Sequence, residues 1–321
     1  MIDRPVIIIG APRSGTTILQ RCLAMHPRLW HLRAESHGVL EGPFHPRATG
    51  RASNRCTAAD ATPGQVRAVR HAFYRRALNL NRVLRNPAPF FSGSRLWRRV
   101  ANALAIKALG TLAKWGKPAR IRFLEKTPKN TLRVSLLDRL FPDALYVWNV
   151  RRPADNIDSL VAGWKHERRL GPVRLRRFAR SGYPVAGKLG LADYDRKEWK
   201  FAWVPGWPSL AGKTVADVAA WQYYQCHRFA LKDFRAVEEE RVLKVRHEEF
   251  VDAPEAHVSR ILRWAGLSLE GVVSEFAQSL PNVNRTRQRA RGDGGLRYPK
   301  QVRGAMRDLP DLDKLSAQLG Y

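Results

Sequence analysis

Acidic residues are scarce in this 321-residue chain: 28 Asp and Glu stand against 57 Lys and Arg, and residues 42–123 hold a single acid, Asp60. The resulting formal net charge of +29 implies polyanionic partners, among which nucleotides, nucleic acids, anionic membranes and acidic substrates all qualify. Cysteine is scarce too. Cys22, Cys56 and Cys226 are odd in number, far apart and lack metal-ligand spacing, which excludes a disulfide scaffold and fits a reducing compartment. No apolar run approaches the roughly 20 residues that span a bilayer. A strand pattern begins at Val6, so neither a signal peptide nor a transmembrane helix is expected, and the expected location is cytoplasmic. Apolar residues are not scarce: 44% hydrophobic composition with ten tryptophans supplies the core of a single α/β domain spanning residues 1–321.

A more local absence is chemically sharper. The stretch "VIIIGAPRSGTTILQRCLAMHP", from Val6, gives a β-branched strand, Gly10 and Gly15 at G-x-x-x-x-G spacing, and a helical pattern. That order of strand, loop and helix is a phosphate-binding arrangement, because helix N-terminal N–H groups and the helix dipole favour an anion. The lysine that reaches the β- and γ-phosphates in nucleoside triphosphatases is missing, and Arg13 lies inside the loop instead. The strand "YVWNV" ends in Arg151-Arg152 rather than an acid that could hold Mg²⁺. A magnesium-nucleotide site is therefore disfavoured.

Further strands are expected at "RLWHLRAES", "RIRFLEKTPKNT", "ALYVWNV" and "RVLKVRH", with helices between them over residues 65–85, 95–115, 214–236 and 254–265. Alternation of this kind predicts a P-loop-like three-layer α/β domain with a central parallel sheet. Residues 42–63 read as a long loop, residues 163–213 as irregular, and the last forty residues as weakly patterned. Glu35 falls in a polar turn past the second strand, where open parallel sheets place catalytic groups. Arg151 and Ser159 bracket a helix opened by Pro153, so a guanidinium and a hydroxyl could converge on a second phosphate.

The ordered set "PRSGTT", "HPRLWHLRAES", "FLEKTPKNT", "LFPDALYVWNVRRPADNIDS" and "VRHEEFVDAPEAHVSRILRWAGL" resembles the sulfotransferases that use 3′-phosphoadenosine 5′-phosphosulfate (PAPS). The resemblance is strongest to the group holding bacterial carbohydrate and lipid sulfotransferases and tyrosylprotein sulfotransferases. It implies that Arg13, Ser14, Gly15, Thr16 and Thr17 bind the 5′-phosphate and that Arg151 and Ser159 bind the 3′-phosphate. The donor would be PAPS and the product 3′,5′-adenosine bisphosphate (PAP), with no metal. Glu35 resembles the family's glutamate base, and His37 is the alternative. Lys126 resembles the lysine that stabilises charge on the bridging oxygen, with Lys129 as its alternative. Arg246 and His247 stand where a tyrosine is common, which puts that nucleotide contact in question. "RTRQRARGDGG" loosely matches the basic loop that closes over the 3′-phosphate, with Arg289 and Arg291 as candidates.

Acceptor specificity falls to the poorly matching basic segments, 42–122 and 163–213, expected to form a basic, mostly helical acceptor-binding insertion. "SRLWRRVANALAIKALGTLAKWGK" sets Trp97, Leu104, Leu112 and Trp115 among six basic residues and no acid, the profile of a helix lying on an anionic membrane or packed on the domain with a solvated basic face. Trp164, Trp199, Trp203 and Trp207 suit sugar stacking or a membrane interface. The expected partner is a hydroxyl-bearing small molecule or glycolipid, with peripheral contact to the inner membrane surface and no specific nucleic acid. Two other classes compete: a P-loop small-molecule kinase and a basic nucleic-acid-binding protein.

Overall fold

The computed structural model describes residues 1–79, 116–166, 183–280, 295–309 and 311–321. The helical pattern at 95–115, with Trp97, Leu104, Leu112 and Trp115, lies outside these residues, as do Arg289 and Arg291. Five strands form one sheet: β1 (Val6–Ile9), β2 (Leu29–His31), β3 (Arg122–Lys126), β4 (Leu145–Val150) and β5 (Val242–Arg246), in the order β2-β3-β1-β4-β5. All four strand pairs are parallel. The expected central parallel sheet is present.

The three layers follow from the period of two along each strand. Ile7, Ile9, Phe123, Tyr146 and Trp148 enter one core, while Val6, Ile8, Leu124, Leu145 and Val147 enter the other. The first core is closed by Pro153–Lys165 and Val215–Phe234, and the second by Thr16–Ala24 and Pro254–Trp264. Leu19 and Leu23 on the Thr16 helix are fully buried, and each stabilises the layer by about 2 kcal/mol.

Chain order explains where a ligand can sit. From β1 the chain runs outward to β2, returns through β3, and crosses to β4 on the other side of β1. Such a reversal opens a crevice at the carboxyl ends of the strands.

Several local expectations are revised. The helix expected at 65–85 is Pro63–Arg76, opened by a Thr62–Gln65 capping box; Leu78 then pairs with His31. Residues 42–63 contain two short helical turns, Pro46–Thr49 and Ala58–Asp60. The weakly patterned tail holds two amphipathic helices, Pro299–Arg307 and Leu312–Leu319, that bury Val302, Leu312 and Leu315. Trp164, Trp199 and Trp203 do not face outward. They are buried and packed together with Tyr183, Tyr194 and Trp207, and the indole N–H groups of Trp164 and Trp199 find internal partners in Gln222 Oε1 and the Ala202 carbonyl. Among the described residues no helix is long and apolar enough to cross a membrane.

Candidate active site

The loop after β1 is shaped by two glycines for different reasons. Gly15 has φ +95°, and a Cβ there would stand 2.3 Å from the His247 ring. Gly10 is pressed against the Asn149 carbonyl, where a Cβ would stand at 2.7 Å. Arg13 also adopts positive φ, +70°, an unfavourable conformation for a side-chain-bearing residue that clusters at ligand-binding turns. Two buried amides pin the loop, one from β4 and one from the helix Pro153–Lys165: Asn149 Nδ2 donates to the Ser14 carbonyl at 2.8 Å, and Asn156 Nδ2 to the Pro12 carbonyl at 2.9 Å. The following helix starts at Thr16 with no side-chain cap and no acid in its first turn. Its N-terminal dipole therefore faces the crevice unopposed by a carboxylate of its own.

Arg13, Arg151 and Ser159 come together at this loop. Arg13 Nε donates to Ser159 Oγ at 3.3 Å, and Arg151 Nη1 to the Arg13 carbonyl at 3.0 Å. Tyr223 holds the Arg151 carbonyl at 3.0 Å, and Glu248 accepts from the Arg152 N–H at 2.9 Å. The His247 imidazole lies over Gly15, its proton affinity pushed down to about pKa 4 by burial and by the Arg151 charge. A neutral ring therefore closes the cradle.

On the other side stands the base candidate. Ser36, the residue after Glu35, is tied to the end of β3 through its N–H and hydroxyl, 2.8 and 2.9 Å from Thr127 Oγ1. Lys126, only 5% exposed, places Nζ 2.7 Å from Glu35 Oε1 and 3.2 Å from Thr17 Oγ1. One ammonium thus joins the carboxylate to the phosphate loop. His37 Nε2 meets the other carboxylate oxygen, Glu35 Oε2, at 2.9 Å. Burial alone would raise the Glu35 pKa, but the His37 hydrogen bond and the Lys126 charge outweigh it and hold the carboxyl at about 2. Burial likewise opposes the imidazolium of His37, yet Glu35 and Glu41 raise its proton affinity above the usual value.

Residues 5–181, more than half of the chain, match the model of the sulfotransferase family. The chain belongs to the sulfotransferase family. Membership makes it a PAPS-dependent sulfotransferase, an enzyme of sulfuryl transfer. Among solved structures it is similar to the sulfotransferase domain from the curacin biosynthetic pathway, at 17% identity and TM-score 0.46, covering 99% of this chain and 97% of that one. It is also similar to a sulfotransferase from Alicyclobacillus acidocaldarius, at 15% identity and TM-score 0.46, covering 99% and 96%. A mouse sulfotransferase complexed with PAP is 12% identical, with TM-score 0.36 and coverage of 98% and 82%. No curated protein matches the chain.

Each strand of this sulfotransferase delivers a residue to the crevice from its carboxyl end: the 10–17 loop from β1, Glu35 after β2, Lys126 from β3, Arg151 after β4 and His247 after β5. The alternative lysine takes a different place. Lys129 Nζ lies 2.7 Å from Glu41 Oε1 and 3.0 Å from the Tyr183 hydroxyl. The buried carboxyl of Glu125, beside Lys126 in sequence, accepts from Asn130 Nδ2 at 3.1 Å. Sequence reasoning missed Asn149, although an amide in an otherwise apolar strand signals a buried polar contact, and it missed Asn156 in the helix Pro153–Lys165. It also missed Glu41, whose partners are distant in sequence.

Proposed function

We propose that this sulfotransferase binds the donor's 5′-phosphate on Arg13, Ser14, Gly15, Thr16 and Thr17 and its 3′-phosphate through Arg151 and Ser159. Glu35 is the base and Lys126 the electrophilic partner. The observation that carries the assignment is the placement of Lys126 Nζ between Glu35 Oε1 and Thr17 Oγ1. The reaction forms a bond from the acceptor oxygen to sulfur and breaks the bond from sulfur to the bridging phosphate oxygen. The acceptor proton goes to Glu35, and the charge left on the phosphate is met by Lys126. His37 sits on the carboxylate oxygen that Lys126 leaves free, which favours Glu35 over His37 as the group next to the transferred sulfuryl. No metal enters this scheme.

The acceptor we propose is a hydroxyl of a carbohydrate, glycolipid or other amphiphile, recognised by the basic segments 42–122 and 163–213 within a single catalytic domain. Their support is compositional: 163–213 carries twelve basic residues against four acids.

A thermal-shift titration with PAP, ADP and ATP, each with and without Mg²⁺, tests the donor site. A ligand at 100 times its dissociation constant stabilises the native state by about 2.7 kcal/mol. A metal-independent shift specific to PAP is expected; a shift only with Mg-ATP would replace this reading with a kinase. Transfer of labelled sulfur from PAPS to a panel of sugars, glycolipids and phenols then sorts the acceptor class.

A further inference from the structure

Behind Glu35 lies a buried charge cluster to which the reaction scheme assigns no part. Its hub is Glu41, 7% exposed in its side chain, at the end of the short helix His37–Leu40. Glu41 Oε1 lies 2.7 Å from Lys129 Nζ, 3.3 Å from the Tyr183 hydroxyl, 3.4 Å from His37 Nδ1 and 3.7 Å from Arg133 Nη2. Arg133 is wholly buried and donates through Nε to the Asn54 carbonyl at 3.2 Å. Asn54 in turn holds the Tyr183 hydroxyl at 2.6 Å. The imidazole of His37 therefore lies between two carboxylates: Glu35 is hydrogen-bonded to Nε2, and Glu41 stands at ion-pair distance from Nδ1, which makes no hydrogen bond among the described residues.

We propose that Glu41 is a positioning residue: through His37 it orients the Glu35 carboxylate toward the crevice, and through Lys129 and Tyr183 it ties that base to the segment beginning at residue 183.

Burying a carboxylate is costly unless its charges and lone pairs are met, and removing one partner leaves the rest exposed to that cost. Glu41 has Lys129 and Arg133 to neutralise it, so its additional approach to His37 needs another explanation. An imidazolium drawn by the Glu41 charge on its Nδ1 side holds Glu35 Oε2 through Nε2 while Oε1 remains with Lys126. The charged groups acting on His37 are Glu35 from its own loop, Glu41 from its helix end and Lys129 from the turn after β3, while Lys126 reaches Glu35, and Arg133 and Tyr183 reach Glu41. His45 stacks on Tyr183 at 5.4 Å, and Arg76 donates to the Gly38 carbonyl. Two carboxylates are closest, so removing either should weaken proton binding at His37.

The inference rests on Glu35 being the base, and the test separates the two. The imidazole nitrogens of His37, in the full chain labelled with ¹⁵N-histidine and assigned by the loss of signal in His37→Gln, are titrated by NMR. The Glu35 carboxyl carbon, assigned through Glu35→Gln, is followed in the same samples. In Glu41→Gln the proton affinity of His37 should fall about tenfold, as expected for loss of an opposite charge at this range. The Glu35 carboxyl signal should step at the same lowered midpoint. Glu41→Asp, which keeps a charge for Lys129 but draws it away from His37, should move both signals in the same direction by less; it serves if Glu41→Gln does not fold. An unchanged His37 midpoint, or a Glu35 step that stays in place while that of His37 moves, overturns the proposal. Turnover that survives Glu35→Gln overturns the base assignment instead, and leaves the NMR result standing.

Discussion

The two halves of the site treat charge in opposite ways. On the donor side, Arg151 reaches a neutral oxygen, the Arg13 backbone carbonyl, and the loop itself is pinned by uncharged amides. On the base side, Glu35, His37, Glu41, Lys126 and Lys129 form one chain of alternating charges. A guanidinium resting on a neutral oxygen gains by exchanging it for a phosphate, since charge-assisted hydrogen bonds are about twice as strong. A carboxylate already holding an ammonium and an imidazolium is a weak base until one of them is drawn away. Lys126 can be drawn away, because it already touches the phosphate loop at Thr17. In the proposed scheme the difference would couple the halves: donor charge that attracts Lys126 would release Glu35 for the acceptor proton.

If that division is real, substitutions on the two sides should separate chemistry from binding. Glu35→Gln should have the largest effect, lowering kcat by 10²–10⁴, the usual worth of a general base, while PAP affinity measured by calorimetry stays within about twofold. Near-normal turnover in that variant would break the contrast. Lys126→Met should come next, lowering kcat by about 10²–10³ as for loss of a charge-stabilising donor; a pure affinity loss would place Lys126 on the donor side. Arg13→Ala should reverse the pattern, weakening PAP by about 10- to 100-fold through loss of a charged hydrogen bond worth 1.5–3 kcal/mol. Ser159→Ala should weaken PAP only a few-fold, because a neutral hydroxyl contributes about 1 kcal/mol.

The loop to which the proposed scheme assigns the donor was legible in the sequence because it is local. Gly10, Arg13 and Gly15 fall within six residues, and the strand and helix on either side follow from apolar periodicity. Lys126 and Glu35 were legible as strand-end residues, since a parallel sheet brings strand ends together whatever the intervening distance. The Glu41 cluster was not, because Glu41, Asn54, Lys129, Arg133 and Tyr183 meet only after residues 42–63 fold back against the turn and helix that follow β3. The tryptophans of 163–213 misled for a related reason. Indole composition is the same in a core and at an interface, and only the internal N–H partners of Trp164 and Trp199 distinguish them. The tail was underread because each helix offers few apolar positions, and Val302, Leu312 and Leu315 gain meaning only against the Val215–Phe234 helix and its neighbours.

The smallest expected effect concerns acid stability. The Glu35 carboxyl is held at about 2 in the folded chain, against about 4.3 when unfolded. A depressed carboxyl contributes stability that is present above its unfolded pKa and disappears as the pH falls through its folded one. Wild type should therefore melt above Glu35→Gln at neutral pH, with the gap narrowing between about pH 4.3 and 2. Glu41, depressed in both proteins, largely cancels in the difference. The side chain of Glu35 is 35% exposed, so solvent screening keeps the gap small. A gap that instead widened on acidification would mean that folding raises the proton affinity of Glu35, with burial outweighing His37 and Lys126, and the carboxyl would then enter the crevice as a far better base.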